Sequence, residues 1–353
     1  PARGQALTEQ EKKEITAILA DNQGVVRLLH SVPPGSRSRY PLDLKQGCQV
    51  ALPHLSKEKR AVQLLSSEAL LAAANGQNQA AVQALAAAGQ AADSLSEEPL
   101  LISQLVRIAC WRLVLSRLER VLSQAPLTDE QLIMLEGTLA KAEQPQGLLR
   151  ALVGEQAFGL AVFADPHTAF FLSRNPKPSE RLGTLGLISL LKSTGLLQRD
   201  RAFFLDCMRT NLVIAEASFP ERARRGQQVA ATGFRPPNRF YVFSSMLLPA
   251  LSNCILRDTE HAGRIRAAQA ALAVERFRLA HAGTLPADLQ QLVPQYLSCV
   301  PADPFDGQPL RFKKLAVGYV IYSIGDDKRD DGGREADPKK STAPYDITFF
   351  VER

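Results

Sequence analysis

The residues most able to do chemistry lie near the end of the chain, in the stretch GYVIYSIGDDKRDDGG at 318–333. Four aspartates fall within six positions there, Asp326, Asp327, Asp330 and Asp331, beside two basic residues and two glycines. Calcium takes six to eight oxygen ligands, mostly carboxylates and carbonyls, from a flexible loop. The stretch therefore indicates either a metal-binding loop or a solvated, partly salt-bridged turn after a strand.

Motifs of other reactive sites are absent from the sequence: there is no GxSxG, P-loop, GxGxxG or HExxH. The five histidines are far apart. His167 is the most suggestive of them because it follows Asp165 in FADPHTAFF, but a lone histidine beside a turn more often makes a structural hydrogen bond. The sequence therefore predicts a protein that is not an enzyme. An enzyme with a cleft between two parts of the chain, containing His167 or Asp165, is an alternative.

Composition bounds the class of protein. A chain of 353 residues favours two domains, and 45% hydrophobic with 22% charged residues is ordinary for a soluble globular protein. The net charge of +6 is spread along the chain, with its densest basic spots at 221–226 and 235–239. Nucleic-acid binders usually concentrate charge more and add stacking aromatics. We therefore expect other proteins, and not nucleic acids, as partners.

The cysteines and the chain start bear on the compartment. Five cysteines occur singly, so no zinc site is predicted, and Cys110 and Cys207 lie in apolar helical contexts typical of buried thiols. A disulfide between Cys254 and Cys299 stays open for an exported protein. The sequence contains no run of 18 apolar residues, so no membrane span is predicted. No signal peptide is visible either. Since the chain opens without methionine, we expect that a targeting or anchoring segment precedes residue 1 and makes any membrane contact.

The first 250 residues are predicted to be helical. A capping box of Thr8 and Glu11 opens a helix over 8–31. Helices then fill 57–124, where the pair at 59–93 resembles a single tetratricopeptide-type hairpin, and another helix is capped by Thr128 with Gln131. The stretch 148–256 is more broken, and its segment 220–239, rich in arginine, glycine and proline, is predicted to be a mobile loop.

The last hundred residues change character. LRFKK, GYVIYSIG and YDITFFVE predict a small antiparallel sheet of about three strands over 309–352. The preceding helix, about 259–282, is apolar on two sides, so we expect one side to pack on the sheet and the other on the helical region. The predicted fold is mainly α with a C-terminal α+β domain, divided into 1–250 and 251–353.

This tail resembles the globular domain of the major pseudopilins of type II secretion systems. That family has a long helix, then an LP.DPWG.PY.Y turn and strand, then YSLGADG…GG…DI. The match covers about the last hundred residues, at Phe277, Thr284 to Pro286, Pro301, Asp303-Pro304-Phe305, Gly307, Pro309, Tyr322-Ser323-Ile324-Gly325, Asp327, Gly332-Gly333 and Asp346-Ile347.

The resemblance implies a calcium site in the acidic loop. By position, Asp327 and Asp346 would supply carboxylates, Ile324 and Arg329 main-chain carbonyls, and Asp330 or Asp331 the later acidic ligand. This chain departs from the family in having DDK where ADG is usual, and in an insertion, READPKKSTAPY, before Asp346.

A larger departure is the helical region that replaces the family's N-terminal membrane helix, so the chain is not expected to assemble a pilus in the usual way. The whole arrangement looks like large uncharacterised bacterial proteins that fuse a helical region to a pseudopilin-like tail. The leading hypothesis is a non-enzymatic, exported or membrane-anchored protein of the cell envelope or periplasm, with a helical interaction region and a tail that belongs to a secretion or envelope assembly. A cytoplasmic scaffold is a further alternative.

Overall fold

The protein's fold is known from a computed structural model, which describes residues 3–43, 50–144, 146–166, 178–251, 253–335 and 345–353. Twelve α-helices precede a three-stranded antiparallel sheet in this part of the chain. The prediction of a mainly α protein with a small C-terminal sheet is therefore confirmed.

The elements follow one another along the chain with short connections. The helices are α1 (Glu9–Asp21), α2 (Gln23–His30), α3 (Pro53–Ala74), α4 (Asn78–Asp93), α5 (Leu101–Gln124), α6 (Asp129–Leu139), α7 (Gly147–Ala164), α8 (Pro178–Ser193), α9 (Leu196–Glu216), α10 (Glu221–Thr232), α11 (Val242–Leu247) and α12 (Cys254–Ala280). The strands are β1 (Arg311–Lys314), β2 (Tyr319–Ser323) and β3 (Ile347–Val351).

Both predicted capping boxes are present. At the start of α1, Thr8 Oγ1 accepts a hydrogen bond from Glu11 N at 3.2 Å, and Glu11 Oε2 accepts one from Thr8 N at 2.8 Å. The single helix predicted over 8–31 is wrong, because α1 ends at Asp21 and α2 begins at Gln23. Asn22 Nδ2 donates to Ile18 O at 2.8 Å, which satisfies a helix-end carbonyl and so favours a break there.

Helices α3 and α4 form the predicted hairpin. Buried alanines such as Ala69, Ala73, Ala84 and Ala88 line the contact between them, and small side chains let two helix backbones approach closely. Trp111 of α5 is fully buried against this hairpin. The hairpin's relationship to tetratricopeptide repeats stays a prediction.

The mobile loop predicted over 220–239 is wrong, because α10 occupies Glu221–Thr232. Glu221 in the first turn accepts hydrogen bonds from Arg224 and Arg225, three and four residues on, a spacing that stabilises a helix. Ala223 and Gly226 of α10 are buried. Composition alone missed this helix because arginine, glycine and proline dominate the stretch.

Helix α12 lies between the helical region and the sheet. Its buried face includes Leu272 and Val274, which belong to one hydrophobic core with Leu118 of α5, Leu135 of α6 and Tyr319 of β2. The predicted sandwich is therefore present, in a helix that begins five residues earlier than expected. The division into 1–250 and 251–353 stays a prediction, although this core contains side chains from both ranges.

Two polar side chains, Tyr319 and Arg276, fix α12 between its neighbours. Tyr319 Oη donates to Ala271 O at 3.1 Å and to Glu275 Oε1 at 3.0 Å on the sheet side. On the other side, Arg276 forms ion pairs with Asp129 at 2.7 Å and with Glu136 at 3.0 Å, both on α6. The disulfide between Cys254 and Cys299 that the sequence leaves open is not present in this structure, in which Cys254 is a buried free thiol and Cys299 an exposed one.

The sheet has the order β1-β2-β3, with Phe312 opposite Ile321 and Ile321 opposite Phe349. Its β3 edge is covered by α5. Phe350 N donates to Glu119 Oε1 at 2.9 Å, and Glu352 N donates to Ser123 Oγ at 3.0 Å. These side chains satisfy edge N–H groups that would otherwise pair with another chain.

Candidate functional site

The acidic loop predicted to bind calcium begins directly after β2. Ile324 is buried and its N–H donates to Asp303 Oδ2 at 2.9 Å. Asp327 and Arg329 lie in an exposed turn, in which Arg329 N donates to Asp327 Oδ1 at 3.0 Å. This pair is therefore held by a local side-chain-to-backbone turn.

Three other predicted ligands come together around Gly332 and Gly333. Asp330 Oδ1 accepts hydrogen bonds from Tyr322 Oη at 3.1 Å and Gly332 N at 2.9 Å. Asp346 is buried and accepts from Asp331 N at 3.4 Å and Gly333 N at 2.8 Å. Backbone N–H groups thus bind the carboxylates of Asp330 and Asp346, and the backbone of Asp331 contacts Asp346.

The surroundings of Asp346 oppose the ionisation of its carboxyl group. Burial raises the pKa of Asp346, and the neighbouring charges of Asp330 and Asp331 act in the same direction, while the Gly333 amide lowers it. Asp331 Oδ2 is buried without a hydrogen-bond partner. A cation would relieve both effects, but within the described ranges no three His, Cys, Asp or Glu side chains are grouped so that they could hold a metal ion.

The loop depends on glycine at one position in particular. Gly333 has a φ of +79°, and a Cβ there would lie 3.0 Å from Val320 Cγ1 and 3.2 Å from Tyr322 Cδ1. A larger residue would face both a left-handed backbone and close contacts with β2. Position 333 therefore favours glycine over any residue with a side chain.

Asp303 is the central polar residue of the tail, and sequence reasoning quoted it only as part of a motif. It is fully buried. Its carboxylate accepts hydrogen bonds from Phe305 N at 2.9 Å, Ser323 Oγ at 2.8 Å, Ile324 N at 2.9 Å and Arg311 Nη1 at 2.5 Å. The turn before β1 and the end of β2, which lie 20 residues apart in sequence, are joined through this one side chain.

A cleft of about 490 Å³ lies where α12, the α9–α10 connection and the turn at Asp303 meet. Arg266 of α12 pairs with Glu143 at 2.6 Å, and Arg222 of α10 pairs with Asp258 at 3.1 Å. Both guanidinium groups lie over the ring of Phe219, at 5.2 and 4.8 Å from its centroid. The charged groups of the cleft therefore bind one another and join separate segments.

The ionisable groups of the cleft are not arranged for proton transfer by histidine. His261 Nε2 lies 3.2 Å from Ala142 O, and burial lowers the pKa of His261 to about 3. Burial raises the pKa of Asp258 to about 6, against the opposing effect of Arg222. The neutral imidazole is thus a structural hydrogen-bond donor, which favours a structural interpretation of the cleft.

The residues proposed for an enzymatic alternative are elsewhere or not described. Asp165 ends α7, is exposed and does not line the cleft. His167 lies outside the described residues. A cleft between the two predicted parts exists, but of its lining residues the sequence analysis named only Asp303 and Gly307, and neither as part of a cleft.

One helix in the described part of the chain, α7, is long and apolar enough to cross a membrane, with a mean hydropathy of 1.3. Only 39% of it is buried. Core helices of soluble proteins often have the same length and apolar composition, so this observation alone does not indicate a membrane span.

Comparison of the chain with protein-family models, with curated proteins and with solved structures found no match.

Proposed function

We propose that the chain is a non-enzymatic protein of the cell envelope, exported or membrane-anchored, whose helical region binds other proteins and whose tail is a pseudopilin-like module. The observation that carries this proposal is the set of contacts around Asp303. Residues of the resemblance motif that are separated in sequence, in Asp303-Pro304-Phe305 and Ser323-Ile324, touch one another there.

The hydrophobic contacts of the same motif support the proposal. Phe305, Ile324 and Ile347, three positions of the motif string, form a small buried cluster with Ala223 of α10. A motif whose members pack on one another is a unit of structure, and independent chance matches would not need to meet in space. The helical region adds Ala223 to this cluster and so contacts the tail directly.

Calcium binding is part of the same proposal. Its support is the like charge that Asp330 and Asp331 add beside the buried carboxylate of Asp346, together with the partnerless Asp331 Oδ2. These oxygens would coordinate a bound divalent cation, whose positive charge would offset the repulsion between the carboxylates. Ile324 and Arg329 would contribute main-chain oxygens, as the family resemblance implies.

The experiment that tests the envelope assignment is cell fractionation. The native reading frame is expressed in its own host, and an antibody against the chain follows it through periplasmic, membrane and cytosolic fractions. We expect the chain in the periplasm or membrane, and accessible to external protease once the outer barrier is opened. A chain found only in the cytosol would overturn the proposal and favour the cytoplasmic scaffold.

A further inference from the structure

Two consecutive helices and the loop after them carry an excess of positive over negative charge. Residues 199–239 contain eight arginines and four acidic residues, which gives +4 of the chain's total of +6. This range covers most of α9 and all of α10. A concentration of one sign of charge on a surface raises the local concentration of partners of the opposite sign.

A groove of about 410 Å³ runs between α9 and α10 within this range. Its apolar part is formed by Val213, Ile214 and Val229. Ile214 is buried, whereas Val213 is 47% exposed although it is a β-branched apolar side chain. The groove therefore offers apolar surface that the described part of the chain leaves open to solvent.

Arginines line this apolar part on both helices. Arg209 comes from α9, and Arg224 and Arg225 come from α10, while none of the nine lining residues is a carboxylate. Glu221, next to the groove, pairs with Arg224 and Arg225, and Arg209 forms no ion pair with any described residue. The three arginines and Glu221 together carry a charge of +2.

The spacing of these groups indicates the shape of an occupant. From Arg224 to Thr232, α10 contributes about two turns, or about 12 Å, to the groove. An amphipathic helix presents apolar residues at i, i+3, i+4 and i+7 over the same length, with charged residues beside them. Acidic residues in those flanking positions would meet the arginines while the apolar row covers Val213 and Val229.

We propose that the groove between α9 and α10 is a docking site for an acidic amphipathic helix of a partner protein. This inference rests on the proposed protein-binding role of the helical region and names the surface and the partner chemistry. The apolar side chains lie between two helices with arginines on both of them, which favours the apolar face of a helix over the headgroup surface of a membrane. Since stacking aromatics are absent from the nine lining residues, the groove also favours a peptide over single-stranded nucleic acid.

The proposal is tested with a defined probe, a fluorescein-labelled peptide of about 16 residues that places leucines on one helical face and glutamates beside them. We expect saturable binding by anisotropy that weakens as salt rises. Arg209→Glu is expected to weaken it about tenfold and Val213→Ser about fivefold, because each removes one part of the groove. Both positions are exposed, so we expect both variants to fold, and their melting curves are to be compared with that of the wild type.

Matched controls carry the same changes elsewhere on the surface. Arg199→Glu alters the same charge on α9, and Leu190→Ser removes an exposed apolar side chain from α8, yet neither residue lines the groove. We expect both to bind the peptide like the wild type.

The proposal is overturned if the peptide does not bind, if a peptide with the leucines scrambled binds equally, or if control and groove variants behave alike. Binding of oligothymidylate or of anionic phospholipid vesicles through the same arginines, in place of the peptide, would overturn it as well. None of these results would change the outcome of cell fractionation, so failure here is distinguishable from failure of the envelope assignment.

Discussion

Glu119 of α5 accepts a hydrogen bond from the backbone N–H of Phe350 at 2.9 Å and an ion-pair contact from Arg3 at 2.9 Å. One buried carboxylate thus holds the last strand and the start of the chain against the same helix. Arg3 also lies over the Phe350 ring, 4.7 Å from its centroid. Chain segments separated by more than three hundred residues meet at this point.

The first prediction concerns the pH dependence of stability at Glu119. Burial raises its pKa from 4.5 to about 6, against the opposing effect of Arg3. The folded protein therefore binds this proton more tightly than the unfolded chain, so the contribution to stability is fully present below pH 4.5 and is lost as the pH rises through 6. In Glu119→Gln, the fall in the free energy of unfolding as the pH rises should be smaller by about 2 kcal/mol than in the wild type.

The measurement is denaturant unfolding of both proteins across this pH range. The relevant quantity is the difference between wild type and variant, since other carboxylates contribute to each curve alone. Glu14→Gln, on the exposed face of α1, is the control and should leave the wild-type profile unchanged. Parallel profiles for the wild type and Glu119→Gln would show that the assignment is wrong.

The second prediction concerns Asp303. Asp303→Asn removes the charge that Arg311 pairs with and places an amide donor among N–H donors, so the free energy of unfolding should fall by about 3 kcal/mol. Asp306→Asn changes the other partner of Arg311 at a more exposed position and should cost less than about 1 kcal/mol. Equal losses in the two variants, measured by urea unfolding, would contradict the central role of Asp303.

The third prediction compares two helical glycines. A Cβ at Gly154 of α7 would lie 1.7 Å from Pro99 O, whereas one at Gly137 of α6 would have nothing within 4 Å. Alanine is favoured over glycine inside a helix by about 1 kcal/mol. Gly137→Ala should therefore raise the melting temperature, and Gly154→Ala should lower it because α7 must move away from Pro99. Stabilisation by both substitutions would show that the α7 contact is looser than the structure has it.

The fourth prediction concerns calcium. A ligand that binds only the folded state raises its stability by RT ln(1 + [L]/Kd), so millimolar calcium should raise the melting midpoint. Asp331→Asn should abolish the rise, because it removes the carboxylate with the partnerless oxygen. Asp326→Asn, in the same loop but not among the expected ligands, should retain it. An unchanged midpoint of the wild-type protein in calcium would end the metal assignment.

Sequence reasoning succeeded where a local pattern decides the structure. The capping boxes at Thr8 and Thr128 and the two apolar sides of α12 were predicted from spacing, and the three strands from their β-rich composition. It failed at α10, where the ion pairs of Glu221 and the burial of Ala223 outweigh a composition that favours a loop.

The candidate sites show the same limit. Spacing identified the aspartates of the loop but not their separation into the exposed turn of Asp327 and the buried group around Asp346. The cleft between Glu143 and Arg222, and the groove at Arg209, join segments far apart in the sequence. No local signal could place them, because each depends on how the helices pack in three dimensions.

The position of α12 limits which insertions and deletions the gene can tolerate. Each residue of an α-helix advances its side chains by about 100°. Adding or removing one residue near Ala271 would therefore rotate one half of the helix against the other. Either Arg276 would turn away from α6, or Glu275 would turn away from Tyr319 of the sheet. The helix could then keep its contacts with only one of its two neighbours. Variation in chain length should thus be confined to the connections on either side of this helix, while its interior changes only by substitution.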